Sequence, residues 1–416
     1  MVMLSQLLRC KLVDAKGKEA KLADVSIDLL NGDYPPVTRF YFLDSKNHKR
    51  SLAADEVQSI DWPNCRISVA DLAESGKEST GSLAQQVLLK AGILDALILD
   101  LQNRRATRAN DLLLAEEGQR LELRAADTGF GAMLRRLTRG RFTHISQKTL
   151  FDWKYVEFLR GEPSAVASES GKGLRINRLP AVEIARLADA VPYLHAAELL
   201  TLLADPKAAD TLEKMAPARQ LQVFEELEEE QAVRLLILMA PDLAADLVAR
   251  LQTKTMRRYL ELLPRKQAER IIELLRYPEN TVGGIMTNDV VWVVGGLTVA
   301  QAREHLRESL KEPDFVILIY VVADKVSRQL RGVISLRELL TAADEAKLEE
   351  IMDPFLITLE PLAAAETSAH RVIDSHMAGL PVVNESKKLL GVVTVDAAVT
   401  AVAPSSWSSQ APRIFS

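Results

Sequence analysis

The chain has 416 residues, which is too long for one ordinary hydrophobic core and predicts two to four domains of roughly 100 to 200 residues each. Hydrophobic residues make up 48% and charged residues 26%, so the composition is that of a globular protein and excludes global disorder. The formal net charge of -5 is too small to indicate a nucleic-acid partner, and we expect none.

The N-terminal residues predict short β-strands separated by turns. A hairpin signal lies at Lys16-Gly17, and residues 37–44 (VTRFYFLD) are rich in strand formers. The start of the chain lacks the basic residues, long apolar run and cleavage site of a signal peptide. The only cysteines, Cys10 and Cys65, form no CxxC pair. We therefore expect a cytoplasmic protein with neither a disulfide framework nor a zinc site.

A related pattern occurs twice near the N-terminus. Residues 13–25 and 99–112 share an apolar-Asp start, a turn followed by a base, and a later Asp-apolar pair. This predicts two small β-barrels of similar build, at 1–75 and 80–145. The former resembles the PRC-barrel family, and the latter is similar to a diverged copy of it. The resemblance implies a docking role and no active site.

Four arginines and a polar stretch follow these predicted barrels. The arginines either bind phosphates or a lipid headgroup surface, or they form a solvated face. The later stretch 161–173 (GEPSAVASESGKG) has the composition of a flexible linker, so we predict a linker over 146–178. The arginines are Arg135, Arg136, Arg139 and Arg141.

Residues 179–276 are predicted to form a repeat of short helices. One apolar residue recurs at every twelfth position, and a mostly apolar pair precedes it by three and four residues. Polar or Pro-containing segments break and restart the helix. Because one such unit cannot bury its stripe alone, we expect the units to stack into a scaffold. The recurring residues are Leu203, Met215, Leu227, Met239, Leu251, Leu263 and Leu275.

After Tyr277-Pro278 the pattern changes to strand, helix and strand, and it occurs twice. The first copy opens with 283–287 (GGIMT) and closes with 332–335 (GVIS). The second opens with 350–354 (EIMDP) and closes with 391–394 (GVVT). These motifs resemble those of CBS domains, which work in tandem pairs. The resemblance implies one CBS domain at 277–345, a second at 346–403, and a tail at 404–416.

The helical repeat and the CBS-like pair together resemble the cytoplasmic region of MgtE-type magnesium channels. In that family a YPEDTVG-like junction joins the two parts, and residues 277–287 read YPENTVGGIMT. The resemblance covers 180–403 and omits the channel pore, and the apolar run 315–323 is half of the about 20 residues that a membrane helix needs. We therefore expect a multidomain α+β protein without a transmembrane segment: small β-barrels, a helical repeat and a tandem CBS pair.

The resemblance implies Mg²⁺ ions shared by carboxylates of the helical domain and the CBS pair. Asp242 and Asp246 match the family's acidic pair, and their i, i+4 spacing puts both on one helix face, although two solvated acids fit the same spacing. Ala397 and Thr400 replace acids of the family, and His376 replaces an Asp, so weak Mg²⁺ binding is expected. The candidate metal ligands are Asp242, Asp246, Asp374 and His376.

Adenine nucleotides are the second ligand class of CBS pairs. A hydroxyl after the Gly-apolar pair can bond phosphate, and an acid three residues later can bond ribose hydroxyls. Ser335, Arg337 and Glu338 fit these roles in the first copy. Thr394 fits in the second, where Ala397 replaces the acid. Alternatively, Ser335 and Thr394 are only the N-caps of the following helices.

Two functional hypotheses follow, and neither is an enzyme, because the sequence offers no nucleophile-base arrangement. The first is a cytoplasmic regulatory or scaffold protein with an MgtE-like sensor of Mg²⁺ or a related cation. It would form a homodimer through its CBS domains and act on a partner such as a separately encoded metal transporter. The second is an adenine-nucleotide sensor that acts independently of metal and membrane.

Overall fold

The fold is that of a computed structural model, which describes residues 1–29, 32–44, 48–72, 86–118, 120–138, 146–159, 175–310, 316–354 and 356–403. These residues divide into two compact units, of which the first ends at Met215 and the second begins at Ala216. Among the described residues, no helix combines the length and apolar character needed to cross a bilayer.

The first unit begins with a β-rich region. Its strands are β1 (Val2–Met3), β2 (Lys11–Asp14), β3 (Glu19–Asp28), β4 (Val37–Leu43), β5 (Lys49–Ala53), β6 (Val57–Asp61), β7 (Arg66–Val69), β8 (Gln86–Leu88), β9 (Leu97–Asp100), β10 (Arg105–Arg108), β11 (Asp111–Glu117), β12 (Arg120–Asp127), β13 (Leu150–Asp152) and β14 (Val156–Leu159). One sheet has the order β5-β4-β3-β2-β7-β6, with β8 added at β3. The other sheets are β1-β11-β12-β13 and β10-β9-β14.

Each half of this region contributes a strand to the other half's sheet. Strand β1 pairs with β11, and β8 pairs with β3. Buried Asp24 in β3 accepts hydrogen bonds from the N–H groups of Lys90 and Ala91, just after β8, at 2.8 and 3.0 Å. Buried Asp111 in β11 accepts one from the N–H of Ser5, just after β1, at 3.1 Å. Both aspartates belong to the Asp-apolar pairs of the sequence repeat, so the repeat is a structural duplication.

The turns of the two halves also correspond. The Asp14 carboxylate accepts a hydrogen bond from the N–H of Lys16 at 2.9 Å, and the Asp100 carboxylate accepts one from the N–H of Gln102 at 3.1 Å. An aspartate that bonds the backbone two residues ahead holds a tight turn. Asp14 and Asp100 are the aspartates in the apolar-Asp pairs that begin the two sequence repeats.

The two halves share one hydrophobic core. A single cluster of buried residues runs from Val2 to Val156 and includes side chains of both halves. The ranges 1–75 and 80–145 therefore correspond to two repeat units whose first strands are exchanged and which share one core, and the domain boundaries stay a prediction. The resemblance to PRC-barrels stays a prediction.

The two described arginines of the predicted cluster, Arg135 and Arg136, pair with acids. The helices of this region are α1 (Leu4–Leu7) and α2 (Phe130–Leu137). Arg135 is fully buried, and its guanidinium nitrogens lie 2.6 Å from Asp127 and 3.3 Å from Asp111. Arg136 forms an ion pair with Asp95 at 2.5 Å. Arg135 is therefore neither solvated nor available to phosphates, and Arg136 is paired with an acid that is distant in sequence. Arg139 and Arg141 lie outside the described residues.

The predicted linker over 146–178 begins with structured residues. Strand β13 pairs with β12, β14 pairs with β9, and the Trp153 side chain between them is buried. Residues 146–159 therefore belong to the β-rich region, which corrects the start of the linker. The strands were missed because they are only 3 and 4 residues long. The Gly- and Ser-rich stretch 161–173 lies outside the described residues.

Cys10 and Cys65 form a disulfide, which corrects the expectation of unpaired cysteines. Cys10 directly precedes β2 and Cys65 directly precedes β7, and these strands pair in parallel. Parallel neighbours bring the residues before them together, although 55 positions separate the cysteines in sequence. The spacing alone could not show this.

Short helices of nine or ten residues follow. They are α3 (Ala181–Ala190), α4 (Tyr193–Leu202), α5 (Asp205–Glu213), α6 (Pro217–Glu225), α7 (Glu229–Leu238), α8 (Pro241–Ala249), α9 (Thr253–Leu262) and α10 (Arg265–Leu274). From α4 onward, each helix ends one or two residues before a member of the twelve-residue series. All of these apolar residues are buried except Leu275, which is half-buried. The predicted helical repeat is confirmed.

The rest of the second unit is a duplicated strand-helix-strand arrangement. Its elements are α11 (Val282–Ile285), β15 (Trp292–Val294), α12 (Val299–Ser309), β16 (Leu318–Val322), β17 (Leu330–Ser335), α13 (Leu336–Thr341), α14 (Leu348–Ile351), α15 (Ala365–Asp374), β18 (Gly379–Val383), β19 (Leu389–Thr394) and α16 (Val395–Val402). One sheet has the order β15-β16-β17, and the other pairs β18 with β19. A parallel bridge from Leu359 to Val382 takes the place of β15 in the second sheet. The predicted internal repeat is confirmed.

Candidate functional site

The junction at 277–287 folds back on itself. A Cβ atom at Gly283 would lie 2.3 Å from the ring of Tyr277, and one at Gly284 would lie 2.3 Å from the carbonyl oxygen of Pro278. Any side chain at either position would therefore displace the residues that precede the helix. The two glycines belong to α11 and allow this close approach.

Each copy of the duplicated region pairs its opening with the last strand of the other. The backbone of Thr287 in the first opening exchanges two hydrogen bonds of 2.9 Å with Val392 in β19. Asp353 in the second opening exchanges hydrogen bonds of 2.8 and 3.0 Å with Val333 in β17. The opening and closing motifs of the sequence repeat are thus two sides of one contact.

The glycines of the closing motifs make this contact possible. A Cβ at Gly391 would lie 2.6 Å from the carbonyl oxygen of Thr287, and a Cβ at Gly332 would lie 2.9 Å from that of Asp353. Backbone atoms held in a sheet cannot easily withdraw. A side chain at either glycine would therefore separate the opening of one copy from the other copy.

A cleft of about 220 Å³ opens between the two copies. Apolar side chains from both copies form most of its wall. They are Val290, Val291, Val316, Ile317, Leu318, Val392 and Val395. The polar side chains at its surface are Thr287, Asp289, Tyr320, Thr394 and Asp396. An apolar cleft with a few convergent polar groups has the composition of a small-molecule site.

Tyr320, one of the residues that line the cleft, has a buried hydroxyl without a hydrogen-bond partner among the described residues. Its side chain is 3% exposed, and its hydroxyl makes no hydrogen bond with the described residues. Burial raises the pKa of Tyr320, so the hydroxyl stays protonated at neutral pH. A buried polar group without a partner costs about 1 to 3 kcal/mol. A ligand that accepts this hydrogen bond would recover part of that cost.

The structure places only one of the predicted nucleotide residues at the cleft. Thr394 lines the cleft, and its Oγ1 also accepts a hydrogen bond from the N–H of Ala397 at 3.2 Å. Ser335 and Glu338 form a reciprocal capping box at the start of α13: the N–H of Glu338 donates to Ser335 Oγ at 3.1 Å, and the N–H of Ser335 donates to Glu338 Oε2 at 2.9 Å. Neither they nor exposed Arg337 belong to the cleft wall.

Asp242, at the start of α8, lies beside the cleft residues. Its carboxylate is hydrogen-bonded to the Thr287 side chain. Burial raises the pKa of Asp242, and repulsion from Asp289 adds to the effect. Asp289 itself forms an ion pair with Arg270 of α10 at 3.2 Å. The helical repeat and the first opening therefore meet through two acids, one hydroxyl and one guanidinium.

Asp246 lies one helical turn after Asp242 and is exposed. Lost hydration raises the pKa of Asp246 to about 6, and repulsion from Asp242 and Glu279 adds to it. Arg250 acts in the opposite direction. This arrangement places the negative charges of Asp242 and Asp246 near that of Glu279 in the junction.

Two family descriptions match this part of the chain. The MgtE intracellular N domain matches residues 179–280, and the CBS domain matches residues 282–345 and 348–404. Residues 179–404 are an MgtE N domain and a CBS pair. These families are regulatory or sensor domains.

Known relatives agree with this assignment. The magnesium transporter MgtE of Thermus thermophilus is 37% identical over 123 residues, and the MgtE of Bacillus subtilis is 32% identical over 123 residues. Each match covers 30% of this chain and 27% of the relative. The crystal structure of the cytosolic domain of the Mg²⁺ channel MgtE in complex with ATP is similar with a TM-score of 0.52 and 28% identity, over 58% of this chain and 96% of that chain.

The remaining predicted metal ligands lie elsewhere in the CBS pair. Asp374 ends α15, and both Asp374 and His376 are exposed. Neither is among the groups whose charge affects the pKa of Asp242 or Asp246. Across the described ranges, no three His, Cys, Asp or Glu side chains come close enough together to hold a metal ion.

Sequence reasoning missed several polar residues of the site. Thr287 is the last residue of an opening motif that was recognised only as a marker of the repeat, and Asp289 lies two residues after it. Tyr320 lies in the apolar run 315–323, which was read for its hydrophobicity alone. Asp396 directly precedes Ala397, whose neutral side chain had argued against a second acid. No sequence signal marked them, because the exchange of openings that brings Thr287 next to Val392 is a contact between distant residues.

Proposed function

We propose that this chain is a cytoplasmic regulatory protein that senses Mg²⁺ through its N domain and CBS pair and acts on a partner such as a separately encoded metal transporter. The observation that carries the proposal is the meeting of α8 with the junction and the first CBS opening, where Asp242 faces Asp289 and Asp246 faces Glu279. A divalent cation between such acids would screen their repulsion and favour the closed contact. The similarity to MgtE magnesium transporters supports the choice of cation.

The expected affinity is low. Mg²⁺ gains affinity from each anionic oxygen that replaces one of its waters. Ala397 and Thr400 cannot supply such oxygens, and Asp374 and His376 remain proposed additional ligands of the CBS pair. We therefore expect binding in the millimolar range, with solvent water completing the coordination shell.

The proposal is tested by limited proteolysis of the full chain with and without about 10 mM Mg²⁺, against NaCl of equal ionic strength. Mg²⁺ should protect the 277–287 junction, and the double variant Asp242→Asn plus Asp246→Asn should abolish that protection. The matched control is Glu366→Gln plus Glu385→Gln, which removes two exposed acids of the CBS pair. Protection that survives in the Asp242 and Asp246 variant would place the ligands elsewhere. Equal protection by NaCl would show that Mg²⁺ protects the junction only by general screening of charge.

The transporter part of the proposal is tested in cells. A strain that lacks this chain should differ from wild type in Mg²⁺ content after a shift from low to high external Mg²⁺. The Asp242→Asn plus Asp246→Asn variant should behave like the deletion. An unchanged Mg²⁺ content in the deletion strain would contradict the regulatory role, whatever the purified protein binds.

A second candidate, adenine-nucleotide sensing, is favoured by the cleft between the CBS copies. The cleft is smaller than the roughly 300 to 1,000 Å³ of typical small-molecule sites, so it would hold one planar part of a nucleotide against its apolar wall. The buried Tyr320 hydroxyl would donate a hydrogen bond, and the Thr394 hydroxyl is a further polar contact. The complex of the related MgtE cytosolic domain with ATP supports this ligand class. Ser335, Arg337 and Glu338 stay proposed residues for a second nucleotide in the first copy.

Thermal unfolding with ATP, ADP or AMP tests the nucleotide hypothesis. A matched pair of variants is available, because Ser335 and Thr394 are both N-caps and only Thr394 lines the cleft. Thr394→Ala and Tyr320→Phe should reduce the nucleotide-induced shift, whereas Ser335→Ala should leave it unchanged. If Ser335→Ala or Glu338→Ala removes the shift, the nucleotide binds at the first copy. No shift with any of the three nucleotides at millimolar concentration would end the hypothesis.

A homodimer through the CBS pair is part of the proposal. Leu340 on α13 is 64% exposed, and Val395 and Val399 on α16 are 37% and 40% exposed, so both helices that follow the closing motifs present apolar side chains. A second copy would bury these side chains. Light scattering should give a dimer at tens of micromolar protein, and Leu340→Arg should shift it to a monomer. A monomeric wild type would contradict this part of the proposal.

A further inference from the structure

A cavity of about 590 Å³ lies within the first unit, with walls from the β-rich region and from the first helices of the helical repeat. Its volume is within the roughly 300 to 1,000 Å³ of typical small-molecule sites. All of its described lining residues precede Met215, so it is separate from the cleft of the CBS pair. Most of these residues are apolar, among them Val87, Leu88, Leu94, Leu97 and Leu159. The others are Gln86, Asp95, Arg108 and His195.

Arg108, the last residue of β10, brings a positive charge to this cavity. Its Nη1 donates a hydrogen bond of 3.0 Å to the backbone carbonyl oxygen of Asp95, and it forms no ion pair with a carboxylate of the described residues. The Asp95 carboxylate, which also lines the cavity, is held by Arg136 through hydrogen bonds of 2.5 and 2.8 Å. These three side chains therefore leave one net positive charge, and most of the five N–H donors of Arg108 are open to a ligand.

His195 of α4 adds a second polar group to the lining. Its Nδ1 is buried and has no hydrogen-bond partner among the described residues. Burial lowers the pKa of His195, and the charge of Arg108 lowers it further, so the ring is uncharged at neutral pH and Arg108 is near enough to act on it. Leaving a buried nitrogen without a partner is costly, and a ligand oxygen bonded to Nδ1 would remove that cost.

We infer that this cavity binds a small amphipathic carboxylate, whose charged end is held by Arg108 and His195. Its aliphatic body lies against the apolar lining residues, including Val87, Leu94 and Leu97. A guanidinium matches the geometry of a carboxylate and can donate two parallel hydrogen bonds to it. An anion that is polar throughout, such as inorganic phosphate, would gain nothing from the apolar wall, since burial of apolar surface supplies that part of the binding.

The inference goes beyond the proposed function, since this site is in the first unit and needs neither Mg²⁺ nor nucleotide. Its walls belong to two parts of the chain, because Arg108 is in the β-rich region and His195 is in the helical repeat. A bound carboxylate would therefore hold β10 and α4 together. In this way the β-rich region would give the chain a second ligand, separate from those of the CBS pair.

Isothermal titration calorimetry of the full chain tests the inference with octanoate, with octan-1-ol of the same chain length, and with acetate. Octanoate should bind most tightly, because only octanoate has both the charge and the apolar body. Arg108→Gln should lower the affinity for octanoate about tenfold, since a charge-assisted hydrogen bond is lost, and should leave the affinity for octan-1-ol unchanged. Hydrogen exchange should slow at residues 86–97 when octanoate is added, which places the ligand at the cavity.

The matched control is Arg120→Gln, which removes an exposed arginine of β12 that does not line the cavity. This control should bind octanoate like wild type. Arg108 and Arg120 are both exposed, so neither substitution should change thermal unfolding much without ligand. Three results would overturn the inference: no octanoate binding by wild type, full binding by Arg108→Gln, or an equal loss of affinity in Arg120→Gln. Octanoate-induced protection confined to the CBS pair would also overturn it, because the ligand would then bind elsewhere.

Discussion

The N-terminal β-rich region and the CBS pair both exchange segments between their two copies, but different residues hold the exchanged segments in place. Each is a duplication, and in each one the first segment of a copy leaves its own half to join the other. In the β-rich region, buried carboxylates of Asp24 and Asp111 receive the incoming segments. In the CBS pair, Gly332 and Gly391 receive them by close backbone approach.

The difference decides what each region offers to a ligand. The exchange in the β-rich region is accompanied by one cluster of buried residues that includes both halves. In the CBS pair, the exchange brings Thr287 and Thr394 to a cleft between the copies. We conclude that the exchanged segments unite the first region into one body and give the second a site with walls from both copies.

The largest effect is expected from the buried carboxylate of the β-rich region. Asp111→Ala removes the acceptor for Ser5 and one of the two carboxylates on buried Arg135, and should cost about 3 to 5 kcal/mol of unfolding free energy. The control Asp95→Ala breaks the more exposed pair with Arg136 and should cost below about 1 kcal/mol. Regional hydrogen exchange measures both, because a chain with two units need not unfold in one step. Equal losses of unfolding free energy in the two variants would show that the buried carboxylate does not hold the exchanged strand in place.

A smaller effect is expected at the glycines of the CBS pair. Gly391→Ala places a methyl group against the Thr287 carbonyl and should cost about 1 to 3 kcal/mol. The control Gly295→Ala should cost less, because its closest contact is the end of the Glu349 side chain, which can move away at the cost of one hydrogen bond to the Gly296 N–H. Chemical unfolding followed by regional hydrogen exchange reports the two losses. If Gly391→Ala left hydrogen exchange at β19 and at the opening unchanged, the close backbone approach would not matter.

The two N-caps of the CBS pair should contribute equally to stability although only one lines the cleft. Ser335→Ala and Thr394→Ala each remove one hydrogen bond to a helix N-terminus and should each cost about 1 kcal/mol. Thermal unfolding without ligand measures the two losses. A much larger loss for Thr394→Ala would mean that the cleft side of the pair depends on this hydroxyl for more than its cap.

The smallest effect concerns pH. The folded-state pKa of Asp246 is raised to about 6, so the folded chain binds this proton more tightly than the unfolded chain does. The stability of the second unit should therefore rise as pH falls from about 7 to about 5. Asp246→Asn should flatten that rise, by less than about 1 kcal/mol because the side chain is exposed. Burial raises the pKa of Glu157 in the first unit to about 7, so hydrogen exchange must be followed in each unit separately. A second unit more stable at pH 7 than at pH 5 would contradict the sign.

The sequence by itself determined the features that repeat. The leucines and methionines that recur every twelve residues lie just after the ends of the short helices. This could be predicted because the face of a helix depends on local spacing alone. The paired glycine motifs marked the duplication in the CBS pair, and the Asp-apolar pairs marked the one in the β-rich region. Each copy needs the same residue at the same place in its fold. These signals were sufficient for the helical repeat and for the CBS pair, whereas Asp242 and Asp246 stay proposed ligands.

Only the tertiary structure decided which copy each segment joins. Arg135 looked like one of four surface arginines, and it is buried because Asp111 and Asp127 approach it from other strands. Tyr320 looked like part of an apolar strand, and it lines a cleft whose other residues come from both CBS copies. Contacts between distant residues leave no period in the sequence, because their partners are selected by the packing of whole sheets. The exchange of segments and the cleft therefore became visible only in three dimensions.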